Sequence, residues 1–199
     1  MKKYKLTEEF IVLNNVKLYR IEAILDFEGV KKGDKGGYIE NESNLSQDGD
    51  AWVFGDAEVC GNAEVFGNAK VFGNAKVCGD AWVFGNAEVF GNAEVFGNAK
   101  VFGNAEVFGN AEVCGDAKVF GNAEVFGNAK VCGNADYIVF KNWWSSGRWF
   151  TWTRSNNKWC VGCFYGSGED LIKKAYQDSE MSGREYERIV RYVESIINQ

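Results

Sequence analysis

From Gly49 to Cys132 the apolar and polar positions recur every six residues, fourteen times without a break. The consensus is Gly-Asn/Asp-Ala-x-Val-Phe/Cys, as in Gly67-Asn68-Ala69-Lys70-Val71-Phe72. A short fixed period predicts a solenoid, in which each unit buries its apolar side only against its neighbours. Strand alternation puts Ala69 and Val71 on one side and Lys70 and Phe72 on the other. The charged x residue needs water, so Ala and Val face inward. Gly73-Asn74 supply the corner, where a positive φ is required.

A second period sets the coil. Cysteine replaces the last residue of the hexad at Cys60, Cys78, Cys114 and Cys132, separated by 18, 36 and 18 residues, with Phe96 at the skipped position. The other two tracks are phenylalanine throughout. Three hexads therefore complete one triangular coil, and the prism is about 20–25 Å tall. Three rings per coil would overfill a narrow core, so the phenylalanines point outward and line two faces. The cysteine-lined face is smoother. Exposed apolar area of that extent marks an interface, so an oligomer is expected.

This pattern resembles the left-handed parallel β-helix of hexapeptide-repeat proteins. That family places a small residue four positions after an aliphatic one, as Ala75 follows Val71 here, and often a left-handed residue where Asn74 stands. It usually has a small residue after the aliphatic, whereas this chain has Phe in ten of fourteen units. The resemblance implies a homotrimer.

The flanks break the period. Phe10-Ile11-Val12-Leu13 and Val16 to Ile21 surround Asn14-Asn15, a hairpin signal. Lys31 to Tyr38 is basic and glycine-rich but lacks phosphate-loop spacing, and reads as a turn into the solenoid. Leu45 shares the register of the Ala positions, so a first degenerate coil is expected to begin near Gly37. After Asp136 come three expected strands, Tyr137–Phe140, Arg148–Arg154 and Lys158–Tyr165. A helix over 169–179 follows. A second helix starts at Ser182, capped reciprocally with Glu185. Its apolar stripe of Tyr186, Ile189, Val190, Val193, Ile196 and Ile197 is expected to pack on the sheet. The units are thus 1–36, 37–136 and 137–199, in a mainly β chain.

Composition narrows the chemistry. Net charge is −6, which disfavours binding to long nucleic acid. No apolar run is long enough for a membrane span, and the first nine residues carry no apolar leader. Six cysteines, four of them in one ladder, read as free thiols in a reducing cytoplasm. The chain contains no histidine, which removes Ser-His-Asp and Cys-His systems and histidine metal ligands. Cys160-Val161-Gly162-Cys163 has no second ligand pair for zinc and reads as structural. No cofactor is expected.

Five of the seven tryptophans fall between 143 and 159. Candidate ligand-binding residues are Lys141, Trp143, Trp144, Arg148, Trp152, Arg154 and Lys158. Aromatic planes beside cations suit a flat anionic ligand. The same tryptophans would also serve as core for a thirty-residue sheet. Lys31-x-Gly33-Asp34-x-Gly36-Gly37-Tyr38-Ile39-Glu40 and Phe140 to Arg148 resemble repeat proteins of phages and prophages of Gram-positive bacteria. That resemblance implies a phage-type accessory protein. Three functions follow: a non-catalytic protein sequestering a small anionic ligand such as a defence signalling nucleotide, a scaffold presenting its ends to a protein partner, and, least favoured without histidine, an acyltransferase.

Overall fold

The computed structural model describes residues 2–197. A hairpin of β1 (Tyr4–Leu13) and β2 (Val16–Ala23) leads to β3 (Lys35–Ile39). Fourteen two-residue strands follow, from β4 (Trp52–Val53) to β17 (Lys130–Val131), and stack into three parallel sheets. Each strand pairs with the one 18 residues on, as Val59 does with Val77. Every Ala and Val of the repeat from Ala51 to Val131 is buried, and together they form one continuous core.

The corners are built as the hexad implies. Their glycines lie at positive φ, Gly97 at 73°, and a Cβ there would meet the backbone nitrogen of Gly115 at 3.0 Å. The asparagines form amide ladders: Asn68 donates to Asn86, Asn86 to Asn104 and Asn104 to Asn122, at 3.0–3.1 Å. Two aspartates serve as ladder ends, Asp80 accepting from Asn62 and Asp116 from Asn98.

The first coil departs from the sequence expectation. Ile39 pairs with Val59 and Leu45 with Val65, each 20 positions apart rather than 18. Leu45 thus occupies a Val position, not an Ala position. The two extra residues sit in the corner between Leu45 and Val53.

On the outside, Phe rings stack between coils. Phe66–Phe84 and Phe84–Phe102 have centroids 4.8 and 4.9 Å apart, and Phe72–Phe90 and Phe90–Phe108 4.7 Å. The outward ladders are as expected, but stacking leaves most rings half-buried rather than open. The three faces differ in their x residues. The face of Glu64, Trp82, Lys100 and Lys118 is the basic face. That of Trp52, Lys70, Glu88, Glu106 and Glu124 is the acidic face. That of Glu58, Lys76, Glu94, Glu112 and Lys130 carries the cysteines and is the cysteine face. There Cys60–Cys78 and Cys114–Cys132 are disulfide-bonded, with Cα separations of 4.7 and 4.4 Å. This corrects the expectation of free thiols in the ladder. In-register parallel strands bring successive Cα atoms within disulfide reach, and the reducing-compartment argument falls with it.

Parallel stacking leaves the two ends of the solenoid with opposite needs, because each N–H donates to the carbonyl of the next coil. Carbonyls are left over at the start and N–H groups at the finish. Donors close the start: Lys3 Nζ on Gly49 and Ala51, Asn44 Nδ2 on Gly61 and Ala63, and Arg20 on Gly36 and Gly55. Acceptors close the finish: Asn134 takes the Lys118 N–H, Thr151 that of Glu124, Ser155 that of Lys130, and Asp136 those of Cys132 and Gly133.

The C-terminal sheet has four antiparallel strands, not three: β18 (Tyr137–Lys141), β19 (Trp149–Thr153), β20 (Lys158–Val161) and β21 (Phe164–Gly166). Gly162, at φ 56°, and Cys163 turn the chain inside what reads as one strand. Helices α1 (Gly168–Asp178) and α2 (Glu180–Ile197) cover its far side. The capping box expected at Ser182 and Glu185 does not form. Ser179 ends α1, and its hydroxyl accepts the Ser182 N–H at 3.0 Å, so α2 begins two residues earlier. Its stripe packs on the sheet through Tyr186, Val190 and Val193, buried against Phe150, Trp152 and Trp159, whereas Ile196, expected in the same stripe, is exposed. Among the described residues no helix is long and apolar enough to cross a membrane.

Candidate functional site

Strand alternation gives the C-terminal sheet two unlike sides. Tyr137 and Val139 pack against the last coil of the solenoid, while Ile138, Phe140, Phe150 and Trp152 join the helices in a second core. Lys141 pairs with Trp149 across β18 and β19. The solenoid-facing side does not close fully on the last coil. A cleft of about 700 Å³ remains on the basic face, lined by Lys118, Phe120, Gly121, Asn122, Asn134, Tyr137, Val139 and Trp149 among others.

The cleft joins flat apolar surface to positive charge. Phe120 ends its ladder with 51% exposure. Trp149 lines the same cleft from the sheet. Lys141 Nζ sits 5.1 Å from the Trp149 ring and 4.4 Å from the Trp143 ring. Tyr137 also lines the cleft, its hydroxyl donating to the Lys118 carbonyl at 2.7 Å, and burial raises its pKa. The chemistry of this lining, aromatic rings with Lys118 among them and Lys141 beside Trp149, matches that of a planar, anionic group.

The residues singled out from the sequence do not all converge. Lys141 and Trp143 come together with Trp149. Trp152 lies in the second core at 2% exposure, its indole N–H donating to Asn157 Oδ1 at 2.8 Å. Arg148 precedes β19, beside Gly162 and Lys174. Arg154 is exposed and borders a separate recess of about 260 Å³ with Ile138, Trp152 and Ile196. Lys158 pairs with Thr153 at a sheet turn. Trp144 stands in the 142–147 loop with 76% exposure and Trp143 beside it with 74%. Phe150, on the same side of β19 as Trp152, is fully buried because the α2 stripe covers that side. Lys118, Phe120, Tyr137 and Trp149 were not singled out. Only the cross-strand partnership of Trp149 with Lys141 had a sequence signal.

Neither thiol of the Cys-x-x-Cys pair suits catalysis. Cys160 is buried, its Sγ donates to Glu124 Oε2 at 3.1 Å, and burial, then Glu124, holds its pKa far above the ordinary thiol range. Cys163 lies apart in the exposed turn. No family model and no curated protein matches the chain.

Proposed function

We propose that the chain is a non-catalytic, homo-oligomeric binding protein that sequesters a small planar anion in the cleft between its last coil and its C-terminal sheet. The observation that carries this reading is the meeting of Phe120, Trp149 and Lys118 around one open cavity, with the Lys141 ammonium 5.1 Å from the Trp149 ring. A base or other flat ring stacks on the aromatics, each stack contributing about 1–3 kcal/mol. A phosphate meets the lysines. Together with the resemblance to phage-type repeat proteins, this favours a nucleotide signal of host defence. The lack of histidine and the buried state of Cys160 speak against an acyltransferase.

A second reading, a scaffold that presents its end to a protein partner, is favoured by one feature. Trp143 and Trp144 stand side by side and exposed on the same loop, the composition of an interface anchor. Calorimetric titration of the intact protein with cyclic and linear nucleotides separates the readings. Micromolar or tighter binding that Trp149→Ala abolishes supports the first. Absence of binding to every nucleotide leaves the second.

A further inference from the structure

The two Phe-lined faces differ in charge in a way that the repeat does not require. Reading along the prism, the basic face presents Glu64, Trp82, Lys100 and Lys118, and the acidic face presents Lys70, Glu88, Glu106 and Glu124. Each residue of the first column lies six positions before its counterpart, hence on the same level of the prism. Level by level the charges are complementary: Glu64 with Lys70, Lys100 with Glu106, Lys118 with Glu124, and Trp82 beside Glu88.

Within one chain these charges find no opposite charge: Lys100 Nζ lies over the Trp82 ring at 3.8 Å, and Glu124 accepts only from the Cys160 thiol. The cysteine face pairs four of its five charges, through Lys76–Glu58 at 3.2 Å and Lys130–Glu112 at 2.8 Å. Among the described residues no ion pair involves the x residues of the basic or acidic face. The like charges of Glu88, Glu106 and Glu124 are instead stacked in register. Burial and these neighbours raise the Glu106 pKa, the signature of a carboxylate lacking a cation.

We infer that the basic face of one chain docks on the acidic face of a second copy, level for level, so that the chains form a closed ring with its axis along the prisms. Rotation about that axis keeps every level aligned, so Lys100 meets Glu106 of the next chain at each contact. The contact is heterologous and closes only as a ring. Both surfaces bring a Phe ladder, which supplies the apolar area, while the charges set partner and register. Alternatives are poorer. Two acidic faces packed head to tail would set Glu88 against Glu106. The cysteine face is occupied in part by its own hairpin, whose tip residues Leu13 and Asn14 border Lys76, Cys78 and Phe96. Two basic faces packed head to tail would pair Glu64 with Lys118 without using the acidic face at all. This inference rests on the oligomeric part of the proposed function and not on its ligand. At the last level Lys118 and Phe120 line the cleft, and Cys160 and Tyr165 cover Glu124 and Phe126, so the docked levels are those of Glu64, Trp82 and Lys100.

Charge reversal tests it on the full-length protein, by light scattering and sedimentation at micromolar concentration. Lys100→Glu and Glu106→Lys each place like charges at every contact and should weaken assembly at least tenfold. The double variant restores the pair with its sign exchanged and should assemble as the wild type does. Both sites are outward-facing, and circular dichroism melting checks that each variant keeps its solenoid. A monomeric wild type overturns the inference. So does an assembly that Lys100→Glu breaks and Glu106→Lys leaves intact, which would mark basic-face self-pairing. Nucleotide titration of the same variants reports on the ligand separately.

Discussion

The Lys3 ammonium donates to the carbonyl of Ala51 at 2.8 Å, joining the start of the chain to the open edge of the first full coil. Its second bond, to Gly49 at 3.0 Å, closes the same corner. Burial lowers the Lys3 pKa from 10.5 to about 8 against the pull of Asp50 and Asp48. The unfolded chain therefore holds this proton to higher pH than the folded one, and stability from this group rises as pH increases from about 8 to 10.5. Lys3→Met keeps the stem and removes the donor. It should cost about 1–3 kcal/mol at neutral pH. The rise in unfolding midpoint across that window should also shrink relative to wild type in urea titrations.

At the opposite end the requirement is for acceptors. Thr151 takes the Glu124 N–H at 2.9 Å within a buried contact. Thr151→Val preserves shape and strands that N–H, with an expected cost of about 1–3 kcal/mol. Ser155→Ala acts on an exposed N–H that water can reach, and should stay within about 0.5 kcal/mol. Equal effects in chemical denaturation would contradict the capping role.

The tryptophans should separate cleanly into core and cleft. Trp152→Ala removes a buried ring and should cost about 3–5 kcal/mol of stability. Trp149→Ala should leave the melting temperature nearly unchanged and weaken nucleotide binding tenfold or more. Arg154→Ala, outside the cleft, should alter binding less than twofold. A binding loss in Arg154→Ala as large as that in Trp149→Ala would move the site to the smaller recess.

Thiol counting tests the cysteine face. Mass spectrometry after alkylation should find one adduct on the native protein, at exposed Cys163, and two after denaturation without reductant, when Cys160 joins it. All six cysteines should react only after reduction. Six adducts in denaturant alone would show the ladder thiols to be free.

The coil was readable because one period carries three requirements at once: a buried pair, an outward charge and a corner. Ala, Val and Gly each appear where only their size or φ fits. The caps were not readable. Lys3, Asn44 and Thr151 are single polar residues, and nothing local marks which carbonyl or N–H each will meet. The two-residue excess before Val53 hid in the same way, since Leu45 is apolar in either register. The cleft was least legible. It forms where residues 118–122 meet 137–149 across a sheet whose second side was already claimed by α2. Counting aromatics and arginines along β19 pointed to that claimed side.

The polarity of the two ends makes the protein a ruler graduated in whole turns. Removing residues 85–102, one complete coil, would shorten the prism and still deliver a bare N–H on the acidic face to Thr151 and one on the basic face to Asn134. Removing a single hexad would turn every later strand onto the neighbouring face, so that the start and finish no longer face the faces they were built to close. Lengths of this scaffold should therefore change in steps of 18 residues, and a six-residue deletion should unfold where an 18-residue one survives.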